Sequence, residues 1–183
     1  MPQLVALSLS IGVLGAIWAF LALSPLAGFV LVWAGFIAGG CFFHNGGDTK
    51  ALIKTICGTA YGVIIAWIAL LIIFKAGVAG MGVVAIAIVV GVTVFLLVIV
   101  ASIDQLSSVP ANVYGYASTV AYSLHQPSVA AVAPDTMGTG PLENLTSASF
   151  ANPLVILIVS LVLGTIGGYL SGQLAKAITK KTA

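Results

Sequence analysis

Six apolar stretches, separated by short polar breaks, follow one another along the chain. Five of them have 19 to 24 residues and contain no acidic side chain. At 1.5 Å per residue, a helix of about 20 residues crosses a hydrocarbon core of about 30 Å. We therefore predict a single all-α membrane domain over residues 1–183, with spanning helices at 4–23, 25–43, 51–74, 81–101, 110–124 and 153–175.

The fifth stretch, 110–124, is short, with only 15 residues and several polar side chains. Such a segment either re-enters the membrane or crosses it as a tilted helix. The lysines favour a full crossing. With six crossings, five of the six lysines lie on one side, and only Lys75 lies with the acidic loop 125–152 on the other. Because positively charged loops face the cytoplasm, we expect both termini to be cytoplasmic.

The composition indicates that most of the surface faces lipid. Hydrophobic residues make up 61% of the chain and charged residues only 5%, and the mean hydropathy is +1.22. A soluble domain carries roughly a quarter charged residues. The net charge is only +2, and the six lysines do not form a clustered basic face. Both features argue against nucleic-acid binding. Cys41 and Cys57 both lie in apolar stretches, where a small buried side chain is the expected role.

Two halves of the chain are related in sequence. Residues 34–43 align with 111–120 at an offset of 77, and residues 57–62 align with 163–168 at an offset of 106. The offsets differ by 29 residues, about the size of the loop 125–152. Three helices per half is an odd number, so the two halves would run in opposite directions through the membrane. We predict two inverted three-helix repeats, at about 4–74 and about 81–177.

The fifth helix carries a stripe of polar side chains. Its members are spaced by four, three and four residues, which places them on one helical face: Asn112, Tyr116, Thr119 and Ser123. Polar groups that face hydrocarbon cost free energy, so this stripe should face the protein interior or water. We expect it to supply hydrogen bonds to a solute. The alternative is that these groups tie helices together.

The repeat alignment matches this stripe with a glycine-rich face of the second helix, formed by Gly35, Gly39 and Phe42. A polar stripe opposite a glycine trough, narrowed by Phe42 or Phe36, would form a pore for a small uncharged solute. On this interpretation, replacing Gly39 by leucine blocks the pore. The glycines at 58, 62, 164, 168 and 172 have the spacing of close helix contacts, within or between subunits.

Other polar residues suggest little chemistry. His44 and Asn45 end the second helix and would form a vestibule, although a histidine at a helix C-terminus is also favoured by the helix dipole. Acidic and basic groups are absent from the middle of the predicted spans, which argues against an ion channel or a proton-coupled carrier. The sequence has no nucleophile–base pair, metal cluster or phosphate loop. We expect neither an enzyme nor a bound cofactor or metal.

The second and third helices resemble a bacterial inner-membrane family catalogued as "domain of unknown function 1097". The resemblance lies in the segments 33–36, 42–43 and 46–47 and in the apolar helix that follows to Trp67, and it continues more weakly at 109–110 and Gly115. It implies a multi-pass protein of the bacterial inner membrane and gives no activity. The segment 127–152 looks longer than is usual for the family. A looser similarity, of architecture only, is to the inverted-repeat channels for urea and short amides.

Together these observations predict a homo-oligomer in the lipid bilayer, associated through glycine-rich faces. It would conduct a small uncharged polar solute, such as urea or a short amide, passively. The alternative is a membrane scaffold that transports nothing and docks a partner through 127–152. A proton-coupled carrier is a third possibility and requires a titrating group that the spans lack.

Overall fold

The computed structural model describes residues 1–124 and 142–179, and this part of the chain is helical without a β-strand. The prediction of an all-α protein with six helices is confirmed. The helices are α1 (Gln3–Leu23), α2 (Val32–His44), α3 (Thr49–Leu70), α4 (Val83–Ile99), α5 (Val109–Leu124) and α6 (Pro153–Ile178).

Four of the six helices are long and apolar enough to cross a membrane. They are α1, α3 with its π-helical extension to Lys75, α4 with its extension to Ser102, and α6. The other two are shorter, with 13 residues in α2 and 16 in α5. At 1.5 Å per residue these helices are about 20 and 24 Å long, less than a hydrocarbon core of about 30 Å.

The predicted start of the second helix, at residue 25, is wrong: α2 begins at Val32. The preceding residues form turns, in which Gly28 has a φ of +81°, outside the range of a right-handed helix. The first turn of α2 is held from two sides. The indole of Trp18 in α1 donates to the Val32 carbonyl over 2.9 Å, and the Leu31 amide donates to Ser160 Oγ in α6 over 2.9 Å.

The six helices form a central group of four with one helix on each flank. At the centre α3 and α6 contact each other, α2 packs on α6, and α5 packs on α3. On the outside α1 packs mainly against α6, and α4 packs mainly against α3. Both short helices are therefore held by the long central pair.

Successive helices run in opposite directions, which gives the bundle two ends. At one end lie Met1, the turn after α2, the linker between α4 and α5, and the end of α6. Contacts join these segments: Ser10 donates to the Ser171 carbonyl, and Lys54 Nζ lies 3.0 Å from Asp104 Oδ1. We call this end the N-terminal side.

The opposite side collects the turns before α2 and before α6. The rings of Phe29 and Phe150 meet edge to face, with centroids 5.1 Å apart. The indole of Trp67, near the end of α3, donates to the Leu145 carbonyl over 2.8 Å. Leu145 itself is fully buried. Residues 142–152 are thus docked onto the bundle.

Glycines allow the closest helix contacts, as the sequence predicted. A methyl group at Gly62 of α3 would lie 2.7 Å from the Tyr116 amide nitrogen of α5, and one at Gly115 of α5 would lie 2.8 Å from the Thr59 carbonyl carbon of α3. These distances leave no room for any side chain. The backbones of α3 and α5 therefore touch directly, as in other small-residue contacts within membranes.

Candidate functional site

The glycine face of α2 packs against α6 and α1. A methyl group at Gly35 would lie 2.6 Å from Cζ2 of Trp18, while the backbone of Gly35 lies against Gly164 of α6. A methyl group at Gly39 would lie 3.6 Å from the Gly164 carbonyl oxygen. Phe42 is fully buried and meets a tyrosine ring of α6 edge to face. This face is occupied by helix packing.

The polar stripe of α5 packs against α3 and α4. The side-chain Nδ2 of Asn112 donates to two backbone carbonyls of the α4–α5 region, each over 3.1 Å, while its buried Oδ1 has no hydrogen-bond partner within the described residues. The hydroxyl of Tyr116 lies 3.0 Å from Thr93 Oγ1 of α4. Thr119 donates to the Gly115 carbonyl within α5. The bonds of Asn112 and Tyr116 to α4 tie helices together, which is the alternative that the sequence left open, whereas the bond of Thr119 stays within its own helix.

The predicted trough and the predicted stripe therefore face different helices and do not oppose each other. The stripe is turned toward α3 and α4, and the trough toward α6 and α1. The remaining predicted pore residue, Phe36, is half-exposed beside Gly15 of α1. Side-chain contacts between helices determine these orientations, and the sequence pattern of either helix alone does not reveal which neighbour it faces.

The two residues of the predicted vestibule have different surroundings. His44 is exposed at the last turn of α2, where the helix dipole favours a basic group. Asn45 is part of a hydrogen-bonded cluster. Its Nδ2 donates to Thr55 Oγ1 over 2.8 Å, and its Oδ1 accepts from Ser108 Oγ over 2.7 Å. This cluster joins the end of α2, the first turns of α3 and the start of α5.

A groove of about 380 Å³ lies between α2 and α5, on faces for which the sequence pattern predicted no site. Its lining comes from two residues of α2 and five of α5: Trp33, Ile37, Tyr114, Ala117, Ser118, Ala121 and Tyr122. Trp33 and Tyr122 also pack against the buried cluster that contains Val63 of α3 and Leu157 of α6. The walls of the groove are thus α2 and α5, with α3 and α6 behind them.

The lining is mainly apolar and carries no charged side chain. Three hydroxyls lie in this lining, those of Tyr114, Ser118 and Tyr122, and within the described residues none of them forms a hydrogen bond to the protein. An apolar pocket with a few convergent polar groups is typical of a site for a small molecule. Within residues 1–124 and 142–179, no cluster of histidine, cysteine or acidic residues could hold a metal ion.

The sequence carries a weak signal for this groove. Its five residues on α5 follow at spacings of three, one, three and one, which is the pattern of one helical face. At about 100° per residue, that face lies opposite the polar stripe. Two tyrosines flank small residues there. The packed face of α5 is the more polar of the two, so side-chain polarity alone points away from the groove.

The loop predicted as a docking surface, 127–152, is described only from residue 142 onward, and that part is held to the bundle. Asn152 Nδ2 donates to the Leu145 carbonyl over 3.1 Å, next to the bond from Trp67. The residues from 127 to 141 lie outside the described part of the chain, as do Lys180 and Lys181.

Comparison with known proteins gives one family. The sequence profile of the family described as "Protein of unknown function (DUF1097)" matches residues 8–176, which confirms the resemblance predicted from the second and third helices. No curated protein and no solved structure matches the chain. The similarity to urea and short-amide channels therefore stays a prediction.

Proposed function

Since the chain belongs to the DUF1097 family, whose description gives no activity, we propose from the geometry that it passes a small uncharged polar solute across a membrane through the groove between α2 and α5. The observation that carries this proposal is the groove itself, with its uncharged lining and three hydroxyls that lack a protein partner within the described residues. A charged solute would lose its hydration there without gaining a counter-charge.

The surface of the bundle supports a membrane location. Helices α1 and α4 expose large apolar side chains along their length, including Leu4, Phe20 and Phe95. The N-terminal side carries Lys50, Lys54 and the lysine in the last turn of α6, whereas Lys75 ends the extension of α3 at the opposite side. By the positive-inside rule, the N-terminal side faces the cytoplasm of the bacterial inner membrane.

The helix contacts support an inverted repeat. In the sequence alignment, Asn112 corresponds to Gly35 and Gly58 corresponds to Gly164. The two pairs make equivalent contacts: a methyl group at Gly58 would lie 2.7 Å from Asn112 Oδ1, and one at Gly164 would lie 2.7 Å from the Gly35 carbonyl carbon. Both short helices thus pack on the long helix of the other half through aligned positions.

This repeat relates the two walls of the groove to each other. Ile37 and Tyr114 are aligned at the offset of 77 residues, and both line the groove. A groove shared by equivalent residues lies on the axis between the halves. Inverted-repeat transporters bind their solutes at such an interface, near the membrane midplane.

The lining favours urea or a short amide as the solute. The groove volume of about 380 Å³ lies within the usual range of small-molecule sites. It is large enough to hold one urea or short amide molecule together with several waters. The hydroxyls of Tyr114 and Ser118 can donate to an amide carbonyl oxygen and accept from its N–H groups. The aromatic rings of Trp33 and Tyr122 can cover the flat faces of the amide.

A homo-oligomer is also part of the proposal. Four helical glycines have open space where a side chain would stand, and they lie on the outer faces of the bundle: Gly12, Gly40, Gly91 and Gly167. Such positions permit a close approach by a second copy. The mass of the protein released from lipid nanodiscs in native mass spectrometry tests this part: an oligomer supports it, and a monomer contradicts it.

Solute flux into liposomes tests the function. Purified protein would be reconstituted and mixed rapidly with hyperosmotic urea, acetamide, glycerol or potassium chloride, and the volume recovery followed by light scattering. We expect recovery with urea or acetamide to be at least tenfold faster than in protein-free liposomes, and recovery with salt to be unchanged. Equal rates with and without folded protein for every uncharged solute would contradict the proposal.

A further inference from the structure

We infer that the hydrogen-bonded cluster of Asn45, Thr55 and Ser108 is a gate that closes the groove on the N-terminal side. This inference rests on the proposed function, because it describes how access to the same groove is controlled. We call the three residues the inner latch.

The latch joins three helices at one point. Asn45 caps the end of α2 and reaches Thr55 of α3 over 2.8 Å and Ser108, just before α5, over 2.7 Å. Ser108 Oγ in turn accepts from the Ala111 amide over 3.2 Å and so caps the start of α5. The side chain of Thr55 is fully buried. Hydrogen bonds between polar side chains therefore hold the end of α2 against the start of α5.

The latch lies beyond the groove on the same helix–helix interface. Asn45 follows Ile37 by eight residues, which places it about 12 Å farther along α2. Ser108 precedes Tyr114 by six residues, or about 9 Å along α5. A solute that leaves the groove toward the N-terminal side along this interface has to pass between Asn45 and Ser108.

The repeat supplies a counterpart at the other end of the interface. At the offsets of 77 and 106 residues, each latch residue aligns with an apolar or aromatic residue. The pairs are Asn45 with Tyr122, Ser108 with Leu31, and Thr55 with Leu161. All three counterparts belong to one apolar cluster or pack against it. The interface is thus closed by hydrogen bonds on the N-terminal side and by apolar contacts on the opposite side.

This difference suits a gate that opens on one side at a time. A neutral hydrogen bond adds little net stability when water can replace it, so the latch can open as water enters. One further tie lies nearby, the ion pair between Lys54 and Asp104, but the side chain of Asp104 is 80% exposed. Exposed ion pairs contribute little, so this one does not lock the gate.

Cys41 lies next to the latch and can report whether it opens. It lies one helical turn before Asn45, is 1% exposed, and has its sulfur 3.6 Å from Asn45 Nδ2. In a Cys57→Ala background, we would measure the rate at which a charged methanethiosulfonate reagent modifies Cys41, applied to intact and to inverted membrane vesicles. We expect Asn45→Ala to raise the rate at least tenfold from the N-terminal side, and Thr55→Val to raise it by a smaller factor.

Thr93→Val is the matched control. It removes the buried hydrogen bond between Thr93 of α4 and Tyr116 of α5, which lies away from the latch. Its labelling rate should stay within twofold of the background. Unchanged labelling in both latch variants, with wild-type solute flux present, would overturn the gate and leave the proposed function standing. Faster labelling without solute flux in any variant would support the latch as a gate and contradict the proposed solute. If Thr93→Val raises the rate of Cys41 modification as much as the latch variants do, the substitutions loosen the whole bundle, and the proposed gate is contradicted.

Discussion

Gly35 of α2 and Gly164 of α6 bring the backbones of two helices into direct contact. A methyl group at Gly164 would lie 2.7 Å from the carbonyl carbon of Gly35, closer than side-chain carbons approach one another. On its other face, Gly35 lies against the ring of Trp18. The short helix α2 is therefore held between α1 and α6, with no space left for a solute on this face.

Replacing Gly164 by alanine should destabilise the protein. The added methyl group forces α2 and α6 apart, and overpacking of this kind costs about 1–3 kcal/mol. Gly167→Ala is the matched control, because the same helix has open space at that position. Unfolding in mixed micelles with rising denaturing detergent measures the difference. Equal midpoints for the two variants would contradict the close contact between α2 and α6.

The contact between α3 and α5 should respond in the same way. Gly115→Ala places a methyl group 2.8 Å from the Thr59 carbonyl carbon, whereas Gly91→Ala on α4 meets no atom within 4 Å. We expect Gly115→Ala to lower the thermal unfolding temperature in detergent, and Gly91→Ala to leave it unchanged or raise it, because alanine favours helix over glycine. If Gly115→Ala lowered the unfolding temperature less than Gly91→Ala does, the backbones of α3 and α5 would not be in contact.

The hydrogen bond between Tyr116 and Thr93 should couple α5 to α4. Its two oxygens are 3.0 Å apart and buried. A double-mutant cycle with Tyr116→Phe and Thr93→Val should give a coupling energy of about 0.6 kcal/mol, the average for side-chain hydrogen bonds between membrane helices. Independent, additive effects of the two substitutions would show that the bond adds no stability.

Removing a hydroxyl from the groove should change the solute preference more than the stability. Ser118→Ala takes away a buried hydroxyl that has no protein partner within the described residues, so no hydrogen bond is lost and the free energy of unfolding should change little. The ratio of urea flux to glycerol flux should change at least threefold. The same ratio in Ser118→Ala and in the wild type would exclude this hydroxyl from the solute path.

The helices themselves were predictable from the sequence, because long uncharged stretches have few alternatives to a membrane helix. The start of α2 was not predictable in this way. Pro25 suits a first helical turn, but Gly28 with its positive φ and the bond from Trp18 to the Val32 carbonyl move the start to Val32. Both features depend on how α1 and α2 meet in space, which hydropathy along the chain does not encode.

The groove lies between the two helices on which the sequence predicts a pore, but on different faces of them. The spacing of the polar residues on α5 predicts that they line a pore, but Asn112 Nδ2 and the Tyr116 hydroxyl form hydrogen bonds within the bundle. The groove is lined by Tyr114 and its neighbours on the opposite face. In a membrane protein a buried polar stripe serves packing as readily as transport, so the spacing alone does not distinguish the two.

The packing of Gly39 against α6 makes Gly39→Leu a poor test of the solute path. A leucine there would reach the Gly164 carbonyl, which already lies 3.6 Å from the position of a methyl group, and it would separate α2 from α6. Loss of flux in Gly39→Leu would therefore report unfolding as readily as blockage. Ala117 lines the groove and is exposed, so a leucine there fills the groove and leaves the helix contacts intact.

Urea and acetamide flux in liposomes that contain Ala117→Leu or Ala87→Leu tests whether solute passes through the groove. Both substitutions add the same side chain at an exposed alanine, but only Ala117 lines the groove. We predict that Ala117→Leu reduces flux at least tenfold, while Ala87→Leu, on α4, retains the wild-type rate. Equal flux in the two variants, at equal amounts of folded protein, would contradict solute passage through the groove.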